Sequence, residues 1–354
     1  MASLQREWRK AREAHKGRHK LLDHAQLLEP GLWVFSGWEL WFKAGKKLPA
    51  HLLYSKGNRR GPLGYRLLKM LVSPLYWMWV PRGRGVGKYF AAVKGPSVKR
   101  EVILFSSSSV CRVLGRPRDP DQVRLRALWD AHVANSAVIE SETTQKYFVE
   151  QLVPDGPTAT IADTNTQVGA IRGVFTQYAS LLFEASQGRL ADYRDDIEPR
   201  LFASAHDALI RHAIDIVGEE AFWDLGVVPT GSDSSPDNAI ISPDGVAYFV
   251  DTEPVYVRPA ICHPLGVIAG WDQKTGVLVD RYLAGEFDDL LEPFLPEGTE
   301  SFELDPKTRM AWLVLAILTP VVTPPVVRRK IRPLDQVLDE YGLTQKAQRV
   351  LGSA

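Results

Sequence analysis

Apolar positions change period several times along the chain. Between residues 101 and 153 they come in short runs, 101–105 (EVILF), 110–114 (VCRVL), 136–140 (SAVIE) and 146–153 (KYFVEQLV), bounded by Ser, Pro and Gly. Runs of this length and composition predict four strands, interrupted by one helix over 121–132. Residues 165–188 and 194–223 instead repeat at helical spacing, with Phe175, Tyr178, Leu181 and Leu182, then Leu201, Ala205, Leu209, His212 and Ile216, on inward faces. His212 reads as a core or groove histidine. Alternation returns at 239–241 and 246–250, on either side of Ser242, Pro243, Asp244 and Gly245, which predicts a tight hairpin. Residues 311–318 are apolar all round but stop before Pro320, so length favours a buried helix over a membrane span. Pro324 and Pro325 lead into a basic stretch, 328–332, and an amphipathic C-terminal helix. Two strands, a helix, two strands and a long helical region predict an α+β protein with a small β-rich part and a larger α-rich part.

The first hundred residues do not share this patterning. Residues 4–25 read as a solvated helix, while 31–43 (GLWVFSGWELWFK) and 62–81 (PLGYRLLKMLVSPLYWMWVP) mix aromatic and aliphatic side chains with Lys and Arg. Six of the ten Trp lie here: Trp8, Trp33, Trp38, Trp41, Trp77 and Trp79. Three readings stay open: an interfacial segment on an anionic membrane surface over residues 1–90, a small helical subdomain with its Trp residues packed inward, and nucleic-acid binding, for which no motif is recognisable. The chain's net charge of +1 conceals an asymmetry. Residues 1–100 carry 21 Lys and Arg against 5 Asp and Glu, and the remainder 22 against 37, so the two parts face different partners.

At 354 residues and 45% apolar content, the chain can hold one domain of about 250 residues with an appendage, or two ordinary domains. Cys111 and Cys262 are too few and too distant in sequence for a disulfide framework or zinc site, which makes a reducing compartment the expectation. The charged start has no apolar stretch of secretory type behind it, and a cytoplasmic location, or one peripheral on the inner membrane face, is expected. Residues 82–88 (RGRGVGK) lack the spacing and the Ser or Thr of a phosphate-cradling loop and read as a flexible basic linker.

The chemistry concentrates in residues 231–258. Asp233 precedes Asn238 by five residues, and Asn238 precedes Asp251 by thirteen, with the hairpin between the last two. Chance would place an Asn between two Asp at these offsets about 0.02 times in a chain of this composition. A hairpin of this length sets its two ends side by side, so Asn238 and Asp251 can offer hard oxygen ligands to Mg²⁺, with Asp233 upstream to accept a proton from an attacking hydroxyl.

This stretch resembles the aminoglycoside phosphotransferase and choline kinase branch of the protein-kinase-like superfamily. Its loop commonly reads His-Gly-Asp-Leu-His-Pro-Asp-Asn, followed after a short hairpin by Asp-Trp-Glu. Here Asp233, Pro236, Asp237 and Asn238 match the first motif and Asp251 and Glu253 the second, while Gly231, Ser235 and Thr252 replace the two His and the Trp. The resemblance implies a bilobal fold over residues 96–354: an N-terminal extension at 1–95, a β-rich lobe at 96–157 and an α-rich lobe at 158–354. It implies ATP, or another nucleoside triphosphate, with Mg²⁺, and a small-molecule, sugar or glycolipid hydroxyl as acceptor. Arg112 sits where the branch places a phosphate-anchoring Lys or Arg, and the turn containing Ser107 and Ser108 can close over phosphates with backbone N–H groups. Residues 150–153, with Glu150 and Leu152, match the hinge whose backbone meets the adenine edge. No Glu on the 121–132 helix is available to pair with Arg112, and Asp130 is the late candidate. Arg258, His263 and Asp272 fall on the segment that lines the acceptor pocket in that branch, at spacings that assign no roles. The absence of an Ala-Pro-Glu motif after Asp251 argues against a protein kinase. The rival class is a pseudokinase that holds a nucleotide or partner while its basic segment docks on a membrane.

Overall fold

The computed structural model describes residues 12, 15, 18–19, 22, 28–37, 40–43, 77–83, 90–97, 100–105, 109–114, 119–141, 147–231, 235–250, 255–272, 276–296, 304–322, 338 and 342–352. The chain divides into two compact units, residues 1–119 with 137–152, and residues 120–136 with 153–354.

The first unit is an eight-stranded antiparallel sheet. Its strands are β1 (Gly31–Gly37), β2 (Leu40–Lys43), β3 (Trp77–Val80), β4 (Phe90–Ser97), β5 (Arg100–Phe105), β6 (Ser109–Leu114), β7 (Val138–Ser141) and β8 (Tyr147–Gln151). Their order is β3-β1-β2-β4-β5-β6-β8-β7. The four strands expected between 101 and 153 are β5 to β8.

The aromatic N-terminal segments are strands rather than helices where they are described. Residues 31–43 form a hairpin, and β3 pairs with β1 so that Trp33 meets Met78 and Leu32 meets Trp79. Trp33, Trp41, Met78 and Val80 are buried, whereas Trp79 between the last two is 66% exposed. That alternation is the two-residue period of a strand, and it places two of the Trp side chains inside the protein. Residue 95, the expected end of the extension, falls within β4. The residues of the expected linker from 84 to 88, and most of the 62–81 segment, lie outside the described residues.

The second unit is mainly helical. It contains α1 (Pro120–Asp130), α2 (Thr164–Ala185), α3 (Arg194–Leu201), α4 (Asp207–Val217), α5 (Glu219–Trp223), α6 (Cys262–Trp271), α7 (Val277–Leu283), α8 (Pro306–Leu318) and α9 (Thr344–Leu351). Asp163 starts α2 by accepting the N–H groups of Asn165 and Thr166, and Asp305 does the same for α8 at Thr308, which satisfies donors a helix start leaves open. The continuous helix expected over 194–223 is three helices. It breaks after Leu201 and again at Gly218, whose φ of 90° lies in the left-handed region that favours glycine. Helix α8 is buried from Arg309 to Leu318, as the all-round apolar sequence of 311–318 predicts. Among the described residues no helix is long and apolar enough to cross a membrane.

Two antiparallel strand pairs complete this unit: β9 (Val227–Gly231) with β12 (Val255–Pro259), and β10 (Ala239–Ile241) with β11 (Ala247–Phe249).

Candidate functional site

The β10–β11 hairpin forms as the sequence pattern predicts. Ala239 pairs with Phe249 and Ile241 with Ala247, and Gly245 at the turn takes a φ of 84°. The Ser242 hydroxyl closes the turn by accepting the Val246 N–H at 3.2 Å. At the open end, the Val250 N–H donates to the Asn238 carbonyl at 2.8 Å, so Asn238 faces the residue immediately before Asp251. The second pair sets Gly231 opposite Val255. The register therefore brings together the flanks of both segments that carry the expected carboxylates: Gly231, two residues before Asp233, and Val250 and Val255 on either side of 251–254. Asp233 and Asp251 themselves lie outside the described residues.

Asn238 ends a single turn of 3₁₀ helix, Pro236–Asn238, and is half-buried. Its side-chain carboxamide makes no hydrogen bond to any described residue. Asp237 beside it is engaged, its Oδ1 accepting from the Thr160 hydroxyl at 2.5 Å. Asn238 therefore offers, among the described residues, a hard oxygen at the hairpin end with no described partner, and such an oxygen suits Mg²⁺ as one member of a donor set with carboxylates.

The hairpin is flanked on both edges. On the β10 side, the Ala159 N–H donates to Ala239 and the Ile241 N–H to Pro157, each at 2.9 Å. Gly156 makes this approach possible: a Cβ there would lie 1.9 Å from the Ile241 carbonyl oxygen. On the β11 side, the Phe249 N–H donates to Ala134 and the Ser136 N–H to Phe249, both at 3.0 Å. Segments 157–159 and 134–136 thus make the hairpin the middle of a four-stranded ladder, an arrangement that local sequence patterning does not announce.

The other expected nucleotide contacts belong to the sheet unit. Ser109 pairs with Gln151, so the strand ends flanking the turn of Ser107 and Ser108 lie at the same sheet end as the last residue of β8. Ser107 and Ser108 are outside the described residues. Arg112 lies mid-strand in β6, between Ile103 and Phe148. Glu150 is buried and paired on both sides, to Val110 and Val138, while Leu152 is the first residue past the strand and half-buried. A second hairpin, β4 to β5 through residues 98–99, turns at the opposite end, where Arg100 meets Leu114. The sequence reading missed it because β4 follows a Gly-rich stretch read as linker. Asp130, the late candidate to pair with Arg112, accepts the Arg126 Nε–H at 2.5 Å.

Arg258, His263 and Asp272, expected along an acceptor pocket, all serve the interior. Arg258 Nη2 donates to the carbonyls of Ala316 and Thr319, and the Asp272 carboxylate accepts the Val279 N–H at 2.8 Å. His263 is buried behind the hairpin, stacked at 4.4 Å on Tyr178 and edge-on to Phe249. Burial first, and the Arg258 charge second, push its imidazole pKa down to about 3, so the ring is neutral at neutral pH. Tyr178 accepts the Trp129 indole N–H at 2.9 Å, and burial raises its pKa. Cys262 is buried and its thiol is pushed up to about 11, an inert state rather than a reactive one. His212 faces the Leu351 carbonyl at 3.1 Å, as a groove histidine.

An antiparallel sheet unit and a mainly helical unit that carries Asn238 at the end of a two-strand hairpin form the α+β organisation that the sequence predicts. No protein-family model and no curated protein sequence matches the chain. Among solved structures, it is similar to a macrolide 2′-phosphotransferase from Brachybacterium faecium at 12% identity and a TM-score of 0.43, over 64% of this chain and 82% of that one. It is also similar to a choline kinase from Streptococcus pneumoniae, at 14% identity and 0.42, over 74% and 92%. An aminoglycoside phosphotransferase from Streptomyces rimosus matches at 13% and 0.34, over 60% and 87%.

Proposed function

We propose that the protein is a Mg²⁺-dependent phosphotransferase that moves the terminal phosphoryl group of ATP, or another nucleoside triphosphate, to a hydroxyl of a small molecule, a sugar or a glycolipid head group. The observation that carries this reading is the register of the two strand pairs. Asn238 faces Val250, and Gly231 faces Val255, pairings that support a common location for Asp233, Asn238 and Asp251. Asp233 orients the acceptor hydroxyl and takes its proton, the role a positioned carboxylate fills in this chemistry. Asn238 and Asp251 present oxygens to the metal. Bound Mg²⁺ would neutralise phosphate charge that builds in the transition state. Nucleotide contacts are assigned to the turn of Ser107 and Ser108, to Arg112, and to the backbone at Glu150 and Leu152.

One observation bears on where the acceptor resides. Trp79 is exposed next to exposed Pro81 and Arg82, a pairing of indole and base suited to an anionic membrane surface. The proposal keeps this docking role for the segment around Trp79 and withdraws it from Trp33 and Trp41, which are buried.

The test is thermal stabilisation by ATP with and without Mg²⁺, followed by phosphate release and transfer to a panel of amino alcohols, sugars and glycolipid head groups. Mg²⁺-dependent stabilisation with turnover supports the enzyme. Stabilisation without turnover on any acceptor or water gives the pseudokinase reading, and no stabilisation by any nucleoside triphosphate overturns both.

A further inference from the structure

We infer that helix α1 is a positioning element for the segment that carries Asp251, with Gln122 and Arg126 holding its two ends; this rests on the phosphotransferase reading for its functional consequence. The two side chains are four residues apart, so they project from one face of α1 one turn apart. Gln122 grips the far end: its Nε2 donates to the Val255 carbonyl at 2.8 Å while its Oε1 accepts the Val255 N–H at 3.0 Å. A carboxamide that satisfies both backbone groups of one residue acts as a substitute strand edge.

Arg126 governs the near end through one intermediary. Its guanidinium is 1% exposed and forks over three acceptors: Asp130 Oδ1 at 2.5 Å, Asn135 Oδ1 at 3.2 Å and the Ser136 carbonyl at 2.6 Å. Asn135 in turn donates to the Val133 carbonyl. This fixes the course of 133–136, the segment that brackets Phe249 with two backbone hydrogen bonds. Phe249 lies two residues before Asp251 and Val255 four residues after it. Helix α1 therefore anchors both flanks of the segment, although Gln122 and Val255 are 133 residues apart in sequence. Placing a metal ligand to within a fraction of an ångström requires support of this kind from groups that do not touch the metal.

The experiment compares wild type with Gln122→Ala and Arg126→Lys, and uses Arg309→Lys as a control. Arg309 is another buried arginine of the same unit, paired with Asp288 and bonded to the Leu283 carbonyl. Two readouts are taken on the full chain: the Mg²⁺ concentration for half-maximal binding of a fluorescent ATP analogue, and backbone hydrogen exchange in peptides covering 246–257. Gln122→Ala and Arg126→Lys are each expected to raise the half-saturating Mg²⁺ about 3- to 10-fold, the worth of one or two hydrogen bonds, and to speed exchange in 246–257. Arg309→Lys is expected to lower the melting temperature while leaving both readouts at wild-type values. The inference is overturned if Gln122→Ala, the variant least disruptive to the core, exchanges in 246–257 as wild type does, or if the Arg309 variant shifts Mg²⁺ affinity as far as the Arg126 variant. If wild type binds no nucleotide with Mg²⁺, the phosphotransferase reading fails, and the exchange data alone decide whether α1 braces the segment.

Discussion

Two parts of the helical unit are held in place by different means. The hairpin ladder, 134–136 with β11, β10 and 157–159, is short, and backbone hydrogen bonds, a buried guanidinium and one glycine set its position. The helical core around α2, α6 and α8 is set by apolar burial, with Phe175, Tyr178, Leu265, Leu313 and Leu315 among its inaccessible side chains. Burial of that kind is strong but not directional, and it tolerates small changes of shape. The ladder gives up that tolerance for precise placement of a few backbone groups. A residue with a chemical role is better placed on the ladder's kind of support than on apolar burial alone.

The largest expected effect is at the proposed base. Asp233→Asn should lower phosphoryl transfer by roughly 10²- to 10⁴-fold, the usual contribution of a positioned base, while nucleotide binding and melting temperature stay near wild type. Equal losses of binding and rate, measured by titration and single turnover, would move Asp233 to the metal.

The contrast between the two regions is sharpest for one substitution made in both. Gly156→Ala places a methyl 1.9 Å from the Ile241 carbonyl oxygen, against backbone rather than a movable side chain. It should cost about 2–4 kcal/mol of stability and weaken Mg²⁺-dependent nucleotide binding, because β10 loses its flanking segment. Gly173→Ala, in the interior of α2 where a Cβ meets nothing within 4 Å, should stabilise by about 0.5–1 kcal/mol and leave binding alone. Denaturant midpoints measured for both variants check the signs; the same sign in both would erase the distinction.

His263 links the regions, and its effect is graded by pH. Above pH 6.5 the ring is neutral whether folded or unfolded. As the pH falls below that, the unfolded chain binds a proton that the folded chain refuses until about pH 3. Stability therefore falls with decreasing pH across this window by up to about 1.4 kcal/mol per unit from this group. His263→Phe, which preserves an aromatic ring between Tyr178 and Phe249, should flatten the slope between pH 6.5 and 4.5. An unchanged slope would mean that the ring protonates in the folded protein.

Much of this was legible in the sequence, for a physical reason. The strands of 101–153 and the hairpin are short apolar runs ended by Ser, Pro, Asp and Gly, so local turn chemistry announces them. The hairpin end and the spacing of Asp233, Asn238 and Asp251 follow from that. The N-terminal strands were not legible, because 31–43 carries aromatic residues at both odd and even positions, and in 77–80 only burial separates Met78 and Val80 from Trp79. The supports of the ladder were hidden as well. Gln122 and Val255 are joined only by the fold, and only the i,i+4 spacing of Arg126 and Asp130 hinted at the buried clamp.

The smallest expected effect concerns the exposed edge of the sheet. Trp79→Ala should reduce co-sedimentation with acidic vesicles about 3- to 10-fold at high salt, where the contribution of the bases is screened and that of the indole is not. Equal, negligible binding of wild type to neutral and acidic vesicles would return the acceptor to the soluble pool.

The proposed metal ligands, Asn238 and Asp251, carry the most direct test. Calorimetric titration of ATP into wild type, Asn238→Ala and Asp251→Ala, with and without Mg²⁺, should show Mg²⁺-dependent binding in wild type alone, with all three proteins melting within about 2 °C of one another. Wild-type Mg²⁺ dependence retained in both variants would contradict it.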